Sequence, residues 1–185
     1  TDHSLITSSV YFPRMDDKGH VLIQIATSDP VGEWRDIMQG LLLAITSAKN
    51  YIYIQTPYLL PTEVILVALK TSALSGVDVR IMIPEHSDSR MVHWGTCSYL
   101  EELMEAGVRI YMYQKGFLHS KLMVSDDSLA SVGSTNIDFR SFEHNFEANA
   151  FLYDSASVLQ LKEIFLSDQK DAKLLHLRTW RMRPW

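Results

Sequence analysis

The chain has 185 residues, 46% of them hydrophobic, enough to enclose one substantial core and most simply a single domain. A net charge of -5 and a pI near 5.8 argue against nucleic-acid binding through a broad basic face. One cysteine, Cys97, excludes an internal disulfide framework and suits a reducing compartment, and the longest apolar stretches, 41–45 and 64–69, fall far short of the ~20 residues that cross a bilayer.

Taken in chain order, residues 1–18 read as a loosely attached lead-in, and residues 21–26 as a strand. Helical spacing runs over 33–48 through Trp34, Ile37, Met38, Leu41, Leu42 and Ile45. A strand over 51–55 is ended by Thr56-Pro57, Pro61 suits the first turn of a second helix, and Ser75-Gly76 closes it. Val77, Val79, Ile81 and Ile83 alternate as a strand. Asp88 is placed to cap a helix that ends at Gly107, and a strand over 108–113 follows. Two successive strand-helix-strand units predict parallel neighbours in one sheet. A hairpin near residue 126, a strand over 145–153 and a helix over 156–166 complete an α/β chain. The fold expected is an α-β-α sandwich on a mixed, partly parallel sheet.

The chemistry is concentrated in the hairpin. Residues 117–125 alternate as a strand, so His119 and Lys121 project to one face while Ser120, Leu122 and Val124 take the other. Asp126-Asp127-Ser128 is turn chemistry, and residues 129–132 return. The return delivers Gly133-Ser134-Thr135-Asn136 beside the imidazole. A glycine there lets backbone come close to an oxyanion, while Ser134 and Asn136 offer a hydroxyl and two amide hydrogens. A free imidazole, with a pKa of about 6.5, is a nucleophile at neutral pH. An ammonium at Lys121 would offset the charge that builds on the non-bridging oxygens of an attacked phosphodiester.

An attacking histidine needs an acceptor on its other ring nitrogen. Glu147 is the candidate, in a strand where Glu147, Asn149, Phe151 and Tyr153 share one face. Asp126 completes the candidate catalytic set, although an Asp there also orders a turn or pairs with a cation. No Asp, Glu or His cluster has metal-ligand spacing. Tyr58, in the segment 55–61 after a strand end, is placed to line a substrate entrance or to pack between two prolines.

His119, Lys121, Asp126, Gly133, Ser134 and Asn136 together resemble the HKD motif of the phospholipase D superfamily, H-x-K-x4-D-x6-G-S-x-N, at every defined position. Within it the chain is similar to the C-terminal half of bacterial cardiolipin synthases. That narrower likeness rests on Gln55-Thr56-Pro57-Tyr58-Leu59-Leu60-Pro61, Asp88-Ser89, Asn136-Ile137-Asp138-Phe139-Arg140-Ser141, Asn145-Phe146-Glu147 and the terminal Trp180-Arg181-Met182-Arg183-Pro184-Trp185.

The resemblance implies a phosphohistidine-type intermediate at His119 or its counterpart, phosphate binding by Lys121 and Asn136, and orientation of His119 by Glu147. It implies no cofactor. It implies phosphatidylglycerol as substrate, glycerol as leaving group and a membrane surface, at the bacterial cytoplasmic membrane for the full-length protein. Such synthases carry two HKD motifs after an N-terminal membrane segment, whereas no other histidine here is followed two residues later by Lys. The chain, which begins at Thr1, is therefore expected to be a half-site. Its partner would be the first HKD lobe of the same polypeptide or a second copy in a homodimer. A phospholipase or nuclease, with water in the second step, and an inert phosphate-binding lobe are the alternatives.

Overall fold

The computed structural model describes residues 7–14, 16 and 19–183. The rest of the expected lead-in, and Pro184 and Trp185 of the terminal motif, lie outside the described residues. After a 3-10 turn at Ser9–Tyr11 come β1 (Ile23–Ser28), α1 (Asp36–Ser47), β2 (Tyr51–Gln55), β3 (Leu59–Leu60), α2 (Glu63–Leu74) and β4 (Asp78–Pro84). The chain continues through α3 (Arg90–Glu105), β5 (Arg109–Tyr113), β6 (Leu122–Ser125), β7 (Leu129–Gly133), β8 (Ile137–Asp138) and α4 (Phe139–Glu143). It closes with β9 (Glu147–Leu152), α5 (Ser155–Gln169), β10 (Ala172–Leu174) and α6 (Leu177–Arg181).

Eight strands form one mixed sheet in the order β1-β9-β7-β6-β2-β4-β5-β10. The two predicted strand-helix-strand units give its parallel part, β2 beside β4 beside β5, and every other pairing in the sheet is antiparallel. Strand alternation builds two cores. Ile52, Ile54, Val79, Ile81 and Ile110 face α1, α2 and α3, while Tyr51, Tyr53, Tyr111 and Val124 lie under α5 with Val158 and Phe165. The architecture is the α-β-α sandwich that the alternation implied. Gly76 and Gly107 take φ of +93° and +98°, the left-handed backbone that turns each helix into its strand. Among the described residues no helix is long and apolar enough to cross a membrane.

Several boundaries move for local reasons. The first helix begins at Asp36 rather than near 33. Asp29 closes a turn by accepting from the Val31 N–H, Arg35 is drawn back to the Gly32 carbonyl, and Ser28 Oγ accepts from the Ile37 N–H. Ser89, not Asp88, caps α3, its hydroxyl accepting from the Val92 N–H. The expected strand over 117–125 is regular only from Leu122. Two further elements, β10 and α6, had no clear signal in the sequence. Arg181 of α6 pairs with Glu101 and Glu105 of α3 in exposed, solvent-screened contacts.

Candidate active site

The carboxyl ends of β2, β4 and β5 release the segments 56–58, 85–89 and 114–121 on one side of the sheet, where ligands of open α/β sheets bind. β3 pairs in parallel with β8, and Thr56 Oγ1 accepts from the Ile137 N–H, 3.2 Å. These contacts lock the segment 55–61 against the loop that follows Gly133-Ser134-Thr135-Asn136. Nothing in the local pattern foretold this pairing, since each partner is only two residues long.

His119 and Lys121 sit just before β6, and Lys121 Nζ donates to the His119 carbonyl at 2.8 Å. Leu122 pairs with Val132, so Lys121 lies opposite Gly133, whose N–H reaches the Lys121 carbonyl at 3.4 Å. The motif residues on the two hairpin arms are thereby brought together. Packing by itself requires a glycine at 133. A Cβ there would stand 2.2 Å from Asn149 Oδ1 and 2.3 Å from the Ala148 carbonyl, so only glycine lets β7 close onto β9.

Ser134 donates to Glu147 Oε2 and accepts from the Ala148 N–H at 3.0 Å. Asn145 Nδ2 donates to the other Glu147 oxygen at 3.0 Å. Glu147 is buried, as its inward place in the strand predicted. Its hydrogen bonds run to Ser134 and Asn145, and among the described residues none joins it to the His119 ring. The direct contact expected between Glu147 and His119 is corrected accordingly. Burial pulls the Lys121 ammonium below the usual lysine range, and the charges of Glu147 and Asp138 work against that pull.

Asn136 is held by Ser141, whose hydroxyl accepts from both the backbone N–H and Nδ2 of Asn136, at 3.3 and 3.2 Å. Its Oδ1 and the Thr135 hydroxyl are buried without a partner. Asp138 caps α4 by accepting from the Ser141 N–H at 2.6 Å, which fixes Ser141 under Asn136. Sequence reasoning passed over Asp138 and Ser141, although D-x-x-S before a short helix is a cap signal.

Asp126 is not part of this cluster. It lies beside the amino end of β2, where its carboxylate accepts from the backbone N–H groups of Lys49, Asn50 and Tyr51 at 2.7–2.9 Å. His119 and Lys121 stand at the opposite end of that strand, since Ser120 hydrogen-bonds Gln55, its last residue. β2 has five residues, so Asp126 stands roughly 17 Å from the site. Its catalytic assignment is corrected to a structural one. Burial would raise its pKa, but the three N–H donors outweigh that and hold it below the usual carboxylate range.

Tyr58 lies at the rim. Its ring is 6.5 Å from that of Phe117, which is 5.5 Å from the His119 ring. Its hydroxyl donates to Asp88 at 2.8 Å, and burial together with that bond pushes its pKa up to about 12. A hollow of about 410 Å³ lined by Thr27, Ser134, Phe146 and Glu147 adjoins the site. A larger one of about 690 Å³ lies between α1 and β1 at the Asp126 end, away from His119. Among the described residues no group of three or more His, Cys, Asp or Glu comes together as metal ligands.

Residues 41–169 match the family described as cardiolipin synthase, phospholipase D-like domain, and every residue of the His119 cluster falls inside that span. The chain belongs to this family. It is 48% identical over 92% of its length to cardiolipin synthase 2 of Staphylococcus epidermidis, and 46% identical over 90% to a cardiolipin synthase of Listeria monocytogenes. It spans about a third of those proteins, 35% and 34% of their lengths. Its fold resembles Nuc, a phospholipase D family member from Salmonella typhimurium, with a TM-score of 0.70 at 21% identity, covering 85% of this chain and 99% of that one. It also resembles a phosphatidylserine synthase from Haemophilus influenzae, with a TM-score of 0.69 at 16% identity, covering 85% of this chain and 41% of that one.

Proposed function

We propose that this cardiolipin synthase family domain is one half of a phosphatidyltransferase that joins two phosphatidylglycerol molecules into cardiolipin and glycerol. The observation that carries the reading is the gathering of His119, Lys121, Ser134 and Glu147 at one end of the central strands, with one imidazole where the chemistry calls for two. One HKD histidine attacks phosphorus, forming an N–P bond as the P–O bond to glycerol breaks. The other histidine gives its proton to the departing alkoxide. The hydroxyl of a second phosphatidylglycerol then returns a proton to that histidine and attacks phosphorus, releasing the first.

Lys121 offsets the charge on the non-bridging oxygens. Ser134 holds the Glu147 carboxylate, whose charge favours the ammonium of Lys121. A half-turn of the Asn136 amide would let the Ser141 hydroxyl donate to Oδ1 and would bring Nδ2 round as a phosphate donor. Tyr58 and Phe117 form one wall of the entrance.

The partner lobe is the first HKD domain of a longer chain or a second copy of this one, and the work takes place at the cytoplasmic membrane. Vesicles of phosphatidylglycerol offered to the longer enzyme test the reading. Cardiolipin and glycerol in equal amounts support it, and phosphatidic acid as the main product replaces it with hydrolysis.

A further inference from the structure

Gln55 closes β2 and is 2% exposed, yet the chemistry above makes no use of it. Its amide is held at both ends. Nε2 donates to Asp168 Oδ2 on α5 at 2.8 Å, and Oε1 accepts from the Ser120 hydroxyl at 2.8 Å. A carboxylate only accepts, so Asp168 dictates which way round the amide lies, and the amide then makes Ser120 the donor. The chain of bonds has one direction, from Ser120 through Gln55 to Asp168.

Ser120 stands between His119 and Lys121, in a segment that precedes β6 and lacks a regular ladder to hold it. Side chains alternate along extended backbone, so a bond that fixes Ser120 on the α5 side fixes how His119 and Lys121 project on the other. Leu118, buried in the core under α5, is a second anchor on the same side as Ser120.

We infer that Ser120, Gln55 and Asp168 form a positioning relay through which α5 sets the His119–Lys121 segment. None of the three carries out a chemical step; they act through the residues on either side of Ser120. A reacting group displaced by ~1 Å loses on the order of 100-fold in rate, so a tie at this point matters even though it is buried behind the site. The kinetic part of the inference rests on the transferase reading, and the structural part does not.

The test uses Ser120→Ala, Asp168→Ala and Asp168→Asn. In the longer enzyme the two Ala variants should lose about tenfold or more in kcat with KM within about twofold, because the relay does not bind lipid. Asp168→Asn keeps an oxygen for the Gln55 amide and should recover most of the rate. In the 185-residue chain, amide hydrogen exchange at residues 118–121 should quicken in both Ala variants and stay near the parent in Asp168→Asn. Unchanged exchange in the Ala variants overturns the relay, and so does an Asp168→Asn protein as impaired as Asp168→Ala. If exchange responds as expected while the parent enzyme makes no cardiolipin, the transferase reading fails and the relay stands.

Discussion

Lys121 and Glu147 show how burial and charge are balanced at the level of single residues. Burial lowers the Lys121 pKa and the Glu147 carboxylate raises it, so replacing Glu147 by Gln lets the ammonium give up its proton at lower pH. In the proposed role of phosphate clamp, Lys121 works only when charged. Glu147→Gln should therefore cut turnover by ~10–100-fold and move the basic limb of the pH–rate profile to lower pH. A profile recorded in the longer enzyme checks this, and a basic limb that stays in place removes Glu147 from the electrostatics of the site. Asp126 gives the opposite sign in stability. Its folded-state pKa is lowered, so its contribution is complete above the ordinary carboxylate range near ~4 and is lost as pH falls through the folded-state value. Asp126→Asn should cost about 1 kcal/mol at neutral pH, a difference that shrinks in acid. Urea unfolding at several pH values measures it, and a difference independent of pH contradicts the assignment.

At the level of elements, the hairpin was readable because its alternation and turn residues are local. Leu122 and Val124 enter the α5-side core as expected, and β6 and β7 pair as drawn from the sequence. What the sequence did not disclose are contacts between distant segments. The carboxylate of Asp126 is filled by backbone 75–77 residues away, and Gln55 meets a carboxylate 113 residues away. The same limit applies to Gly133, whose packing constraint comes from β9, a strand 14 residues or more further along the chain. Gly133→Ala must push apart the β7–β9 rung that holds Ser134 against Ala148, and should cost ~1–3 kcal/mol. A lowered urea midpoint, with faster amide exchange at Ser134, is the expected result. A midpoint equal to the parent would mean that β9 gives way without cost.

At the scale of the whole molecule, the lobe builds its own core on both faces of the sheet and needs no outside element to bury Ile54 or Phe165. Folding and catalysis are therefore separable. The fold sets the His119 imidazole and the Lys121 ammonium at one end of the central strands. The proposed transfer would need a second imidazole to protonate the leaving glycerol and to deprotonate the incoming hydroxyl, because one residue cannot hold the phosphoryl group and do this at once. The chain spans about a third of its curated relatives, leaving ample length in such proteins for a complementary lobe. A monomer of this chain should accordingly fold cooperatively yet turn over phosphatidylglycerol at least ~100-fold more slowly than the longer enzyme. Sedimentation run beside a turnover assay decides the point. Robust turnover by a proven monomer ends the half-site account, whereas activity that rises with the fraction of dimer places the second His119 in the role of the missing acid.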